Sequence, residues 1–204
     1  MYMPILPVSV KTMRYTGSPN IDFYYPVVFG LKDPAIEEKI NNQITGLMYK
    51  LIGELQHPGV TVNITGSYEI KANQRNVLSI SLSAMGDFGG AHPTTYIRAL
   101  NIDVATGNLY TLHAQFEKNS DYVRRLSDII KAQIKERDIP ISGEFQGIKA
   151  EPDYYIADNV LVIFFQLYEI APYAAGFPYF PIPLYSIEDI LAEGSLLKRM
   201  TYIV

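Results

Sequence analysis

Cysteine is absent from the 204 residues, which excludes a disulfide framework, a thiolate metal site and a cysteine nucleophile. Histidine is scarce, with three copies, at His57, His92 and His113. None has HxH or HExxH spacing, so no zinc motif is present. Long apolar runs are also missing. The longest in the strand-forming region, 160–165, is six residues, against the roughly 20 that a membrane-spanning helix needs. Positive charge is thin and dispersed, 17 Lys and Arg against 21 Asp and Glu, and no basic tract is interleaved with aromatics, which argues against nucleic-acid binding. A GxSxG elbow, a Walker loop and a dinucleotide fingerprint are all lacking, and no cofactor is expected. The opening MYMPILPVSVKT has no basic start or small-residue cleavage site and carries Pro4 and Pro7, so no signal peptide is read. A cytoplasmic location is therefore expected for the chain as it stands, and an extracytoplasmic one if it is part of a longer protein.

What is present is the balance of a globular protein: 48% of residues are apolar and 19% charged. Two long helices are predicted. From Asp33, an N-cap followed by Pro34 at the first helical position, Ile36, Ile40, Ile44, Leu47, Met48, Leu51, Ile52 and Leu55 form one apolar face up to His57-Pro58-Gly59. A second helix begins near Asn119 or Ser120, burying Tyr122, Leu126, Ile129, Ile130 and Ile134 and ending before Pro140. A third, short helix is expected at Ser186, with Ser186 and Asp189 as a capping box and Tyr185 and Ile190 as a hydrophobic staple.

Strands fill most of the rest: 7–16 and 21–29 around a Gly17–Asn20 turn, then 60–70 with a bulge at Gly66, then 78–83. In the last of these, Leu78, Ile80 and Leu82 alternate with serines that should face water. A hairpin follows over 96–104 and 109–112. The apolar run 160–167 should be a central strand covered on both sides. The expected fold is α+β, with mainly antiparallel sheets packed by two long helices and a short C-terminal one. Two closely fused modules are expected, 1–88 (strand-helix-hairpin) and 89–204.

The motif Gly89-Gly90-Ala91-His92-Pro93 is followed by the strand TTYIRALNIDVATGNLYTL, and the chain nears its end with FFQLYEIAPYAAGFPYFPIP. In these features the sequence resembles a bacterial domain family of unknown function. That family is found in the extracellular part of the anti-sigma factor RsiV and in the N-terminal accessory part of the peptidoglycan deacetylase PdaC. Both modules are recognised, the first PdaC/RsiV-like and the second like the C-terminal part of RsiV. The resemblance implies a Gram-positive, spore-forming source and a receptor-like role, since the outer domain of RsiV binds lysozyme. The membrane helix and sigma-binding segment of RsiV and the deacetylase domain of PdaC have no counterpart here.

Several residues are candidates for function. Asp87, Gly89, Gly90 and His92 form a Gly-rich loop that could cradle an anion, bind a metal or pair an acid with a base. The alternative is a tight turn with a hydrogen-bonded histidine, since the loop feeds a strand and not a helix N-terminus. Glu169, just past the apolar strand, could be a general acid paired with His92, or a carboxylate that ties down its own loop. The stretch 168–185 gathers Tyr168, Tyr173, Phe177, Tyr179, Phe180 and Tyr185 among Pro172, Pro178, Pro181 and Pro183. This is either a stiffened binding ridge or a loop covering its own sheet. The leading expectation is a non-enzymatic binding or sensing module for a protein or peptidoglycan-related ligand. The alternatives are a glycan hydrolase using Glu169, Asp87 and His92, or an assembly protein, such as a homodimer joined at a sheet edge.

Overall fold

The computed structural model describes residues 8–18 and 20–201. Pro7 and Pro19, expected in the first strand and its turn, lie outside the described residues. The chain forms two compact units, Met1–Leu109 and Tyr110–Val204.

The first unit is a six-stranded sheet crossed by one long helix. Its strands are β1 (Ser9–Gly17), β2 (Asn20–Phe29), β3 (Asn63–Gln74), β4 (Val77–Asp87), β5 (Thr94–Asp103) and β6 (Asn108–Leu109), in spatial order 1-2-3-4-5-6. All pairs are antiparallel except β2 with β3. A parallel pair needs a long crossover, and helix α1 (Pro34–Leu55) supplies it. As the sequence predicts, Asp33 caps α1 by accepting from the Ala35 amide at 2.9 Å. Ile40, Ile44, Met48, Leu51 and Leu55 are buried against Phe23, Ile64, Ile80, Leu82 and Ile102. The parallel pairing spans only Asn20–Phe23 and Asn63–Gly66. Further along β2, the Asn41 side chain takes up both backbone groups of Val28, at 2.8 Å each, so the strand can leave β3 without orphaning them.

Two sequence expectations change here. Gly66 is not a bulge: the ladder slips between Ile70 and Ala72, and Gly66 is instead where Phe23 presses on the backbone of β3. A Cβ at Gly66 would lie 2.1 Å from the Phe23 ring. The serines of β4 do not all face water. Ser79 and Ser81 are buried, and the Ser79 hydroxyl is satisfied by donating to Asn101 Oδ1 at 2.7 Å. β5 continues the sheet of the first unit by pairing with β4 along its whole length.

The second unit holds a three-stranded antiparallel sheet of β7 (Tyr154–Ala157), β8 (Val160–Phe164) and β9 (Tyr179–Pro183), with β8 central as expected. Helix α2 (Tyr122–Glu136) buries Tyr122, Leu126, Ile130 and Ile134 and is capped by Asp121. Arg137, its C-cap, and Gln133 reach the free edge of β9, donating to Tyr179 O and Pro181 O, both at 2.8 Å. Those carbonyls point away from β8, as do the nitrogens of the same residues, so Pro181 and Pro183 cost no ladder bond. This edge is closed to further strands.

The helix expected at Ser186 is replaced by two 3-10 turns, Leu184–Ser186 and Glu188–Ile190. The Ser186 hydroxyl donates back to Pro183 O at 2.7 Å and caps nothing, and Tyr185 is exposed, so neither box nor staple forms. The short C-terminal helix is α3 (Leu196–Met200), capped by Ser195. It is moored by buried Gln115, which accepts from the Leu197 amide and donates to the Tyr154 hydroxyl.

Candidate functional site

In the first unit, the Gly-rich loop links β4 to β5. Asp87 Oδ1 accepts from the Gly89 amide at 2.9 Å, and Gly89 has φ +73°, so the carboxylate closes a tight turn in a conformation that suits glycine. Phe88 stacks on His57 with centroids 5.8 Å apart. His92 is exposed. Among the described residues, no three His, Asp or Glu side chains converge as metal ligands.

In the second unit, Glu169 has partners for both oxygens. Lys149 Nζ donates to Oε1 at 3.0 Å and the Gln166 amide donates to Oε2 at 2.9 Å, the second bond tying the carboxylate to its own loop. The Gln166 side chain donates in turn to Asp153 at 2.7 Å. Glu169 and Lys149 stand at the rim of a cavity of about 310 Å³, walled by Phe145, Phe165, Ile141, Ile170 and Pro152, with Glu144 also on the lining. Most of the lining comes from the irregular segment 138–153, which no motif in the sequence marks. Its signal was there: a long stretch without periodicity, in which Gly143 and Gly147 bracket Phe145. Both glycines have positive φ.

The aromatic stretch does not act as one ridge. Tyr179 lies within β9, packed beside Tyr155 and Phe164 with centroids 6.3 and 5.8 Å away. Phe180 is core, and Phe177 is half-buried. Tyr168 remains on the surface, 66% exposed, with its ring 5.6 Å from that of half-buried Tyr173. Tyr168 also holds φ +65°, an uncommon backbone for a bulky side chain.

Near α2, two charges shift with physical cause. The hydrogen bond from Arg124 holds the Asp121 carboxyl below the usual range, and burial, then the Glu151 charge, pushes the Tyr122 phenol up. The Tyr122 hydroxyl donates to Ala150 O at 2.8 Å, pinning the end of the cavity loop to α2.

Comparison with known proteins finds similarity along most of the chain. Residues 14–95 match the family "Deacetylase PdaC", and residues 116–185 match "Protein of unknown function (DUF3298)". The anti-sigma-V factor RsiV of Bacillus subtilis (strain 168) is 28% identical over 219 residues, covering 96% of this chain and 76% of RsiV. Two crystal structures of DUF3298 family proteins share the fold. One, from Bacteroides fragilis, has a TM-score of 0.72 at 15% identity and covers 95% of this chain and 97% of its own. The other, from Pseudomonas aeruginosa, has a TM-score of 0.67 at 13% identity and covers 92% and 95%. No helix among the described residues is long and apolar enough to cross a membrane. A PdaC-like match over residues 14–95 ahead of a DUF3298 match over 116–185, with similarity to RsiV along 96% of this chain, supports a DUF3298/PdaC-like module family.

Proposed function

We propose that the chain is a non-enzymatic binding or sensing module, and that its second unit holds a protein or cell-wall glycan ligand against the Tyr168–Tyr173 pair and the cavity that Glu169 borders. The observation carrying this reading is Tyr168: a large aromatic, 66% exposed, on left-handed backbone. Such a conformation costs of order 1–3 kcal/mol, and the side chain, 66% exposed, gains little burial to offset it. Exposed, pre-positioned tyrosines give contact area at low entropic cost, which suits recognition. Similarity to a protein named as an anti-sigma factor supports a protein ligand.

A glycan hydrolase built on Glu169, Asp87 and His92 is less well supported. Glu169 is bonded through both oxygens and Asp87 closes its own turn, leaving neither poised as an acid or base.

The test is affinity capture from cell and cell-wall extract, comparing wild type with Tyr168→Ala/Tyr173→Ala. Tyr179 is a poorer choice because it packs within the sheet. A partner held by wild type and released by the double variant is expected. A partner retained equally by both would refute the placement, and release of new glycan fragments by wild type would refute the non-enzymatic reading.

A further inference from the structure

Segment 138–153 forms a cavity whose ligand chemistry the binding reading leaves open. Its volume of about 310 Å³ lies near the roughly 300 Å³ at which small-molecule pockets begin, enough for one side chain or a small ligand. The segment is pinned at several points. The Ser142 amide donates to Ile170 O at 2.8 Å, and the Ile148 amide donates to Ser127 Oγ at 3.0 Å. At Gly147 (φ +113°) a Cβ would come within 2.9 Å of Ser127 Oγ, so the loop lies directly on α2.

The chemistry inside is of two kinds. Phe165 is buried and Phe145 meets it edge to face, with centroids 6.0 Å apart, giving an aromatic wall. Glu169 and Glu144 bring two carboxylates to the lining against one ammonium, that of Lys149. Lys149 sits 3.0 Å from Glu169 Oε1 while its side chain is 78% exposed. An ion pair so open to water contributes little, so a better cation can displace it. A planar guanidinium both stacks on aromatic rings and engages carboxylates through several donors, which an ammonium cannot match.

We infer that this cavity takes the guanidinium of an arginine side chain presented by a polypeptide partner, with Glu169 as its counter-ion and Lys149 as a tethered stand-in that the arginine displaces. The inference rests on the binding reading above and adds the chemistry of the ligand. Glu169 is suited to the task because its Oε2 is fixed by the Gln166 amide, leaving Oε1 directed at whichever cation is present.

The experiment titrates the full chain with N-acetyl-arginine methylamide and with its lysine and citrulline counterparts, followed by amide chemical shifts. The arginine probe should bind and move the Phe145 and Gly147 amides. The neutral citrulline probe should bind about tenfold more weakly, as loss of one charge-assisted hydrogen bond implies, and the lysine probe should fall between them. Lys149→Met should tighten arginine binding several-fold, roughly the inverse of the lost pair, while Glu169→Gln should weaken it by about tenfold. Equal binding of arginine and citrulline, no tightening in Lys149→Met, shifts confined to other regions, or no binding at all would each overturn the inference. Tighter binding of free arginine than of the blocked probe would overturn the polypeptide source. The probes are too small to span the Tyr168–Tyr173 surface, so a negative result here leaves partner capture through that surface standing. Capture retained in Tyr168→Ala/Tyr173→Ala, with the arginine probe still bound by wild type, would count against the tyrosine surface alone.

Discussion

Replacing Gly66 with alanine is a one-carbon change with a large expected cost. The new Cβ would lie 2.1, 2.3 and 2.4 Å from three atoms of the Phe23 ring, where carbon atoms normally rest at about 3.5–4.0 Å. Phe23 is fully buried, and its backbone is held opposite Gly66 by the parallel pairing of β2 with β3. The ring therefore has to tilt into the packed layer beneath α1, or the two strands have to part. Overpacking of this kind costs about 1–3 kcal/mol, and complete expulsion of the ring would approach the roughly 3–5 kcal/mol of a Phe→Ala change. Gly46 and Gly53 supply the control. Both sit in exposed turns of α1 with open space where a Cβ would go, so alanine there should stabilise by about 0.5–1 kcal/mol. Urea unfolding, combined with hydrogen exchange of β3 and β4 amides to report on the first unit alone, would measure all three. The cost of Gly66→Ala should shrink in a Phe23→Leu background, where the ring is gone. A Gly66→Ala protein within about 0.5 kcal/mol of wild type, the range of neutral surface changes, would refute the close-approach argument. So would an unchanged cost in the Phe23→Leu background.

Other expectations are simpler. Asp33→Ala should destabilise the first unit by about 1 kcal/mol through loss of the α1 cap, seen as a lower urea midpoint with the same slope. Arg137→Ala together with Gln133→Ala should uncover the Tyr179 and Pro181 carbonyls, costing the second unit about 1 kcal/mol per bond and speeding exchange in β9 but not in β3. Acid should weaken the fold in a predictable direction. Hydrogen bonds from Arg14 and Arg124 hold the Asp22 and Asp121 carboxyls below their ordinary values. Their contribution is therefore complete above the unfolded carboxylate pKa near about 3.9 and is lost as pH falls through the lower folded values. The effect should be small, because both pairs are exposed. Asp22→Asn should flatten the fall in urea midpoint below pH 4, and a slope identical to wild type would contradict this.

The parts of the fold that the sequence declares are those governed by local rules. Asp33-Pro34 and the stripe from Ile36 to Leu55 define α1 because cap, first-turn proline and helical spacing agree. The apolar run 160–167 announces a central strand because it is apolar on both faces. Local rules misled where a side chain had a stronger partner than its neighbours. Ser186 has the spacing of a cap, yet its hydroxyl goes to Pro183 O, and the chain turns twice in 3-10 geometry instead. Ser79 looks solvent-facing by alternation, but Asn101 from another strand satisfies it. Gly66 carries a real signal, the need for no Cβ, but its cause is Phe23, 43 positions away in the sequence and visible only once β2 and β3 pair. At the candidate site, Glu169 was legible as a carboxylate at a strand end. Its partner Lys149 and the wall residue Phe145 come from an irregular segment with no periodicity, and tertiary folding alone brings them together. Tyr168 and Tyr179 look equivalent in the sequence, yet one is exposed and the other belongs to β9, because β8 recruits 179–183 as its neighbour.

The most direct test of the binding account places a photoreactive benzoylphenylalanine at Tyr168 and, separately, at Tyr49, an exposed tyrosine on α1 of the first unit. Each protein is irradiated in cell and cell-wall extract, and the adducts are identified by mass spectrometry. The account predicts a discrete adduct from position 168 that is absent from position 49 and suppressed by excess wild-type protein. No adduct at 168, or the same adducts from both positions, would contradict it.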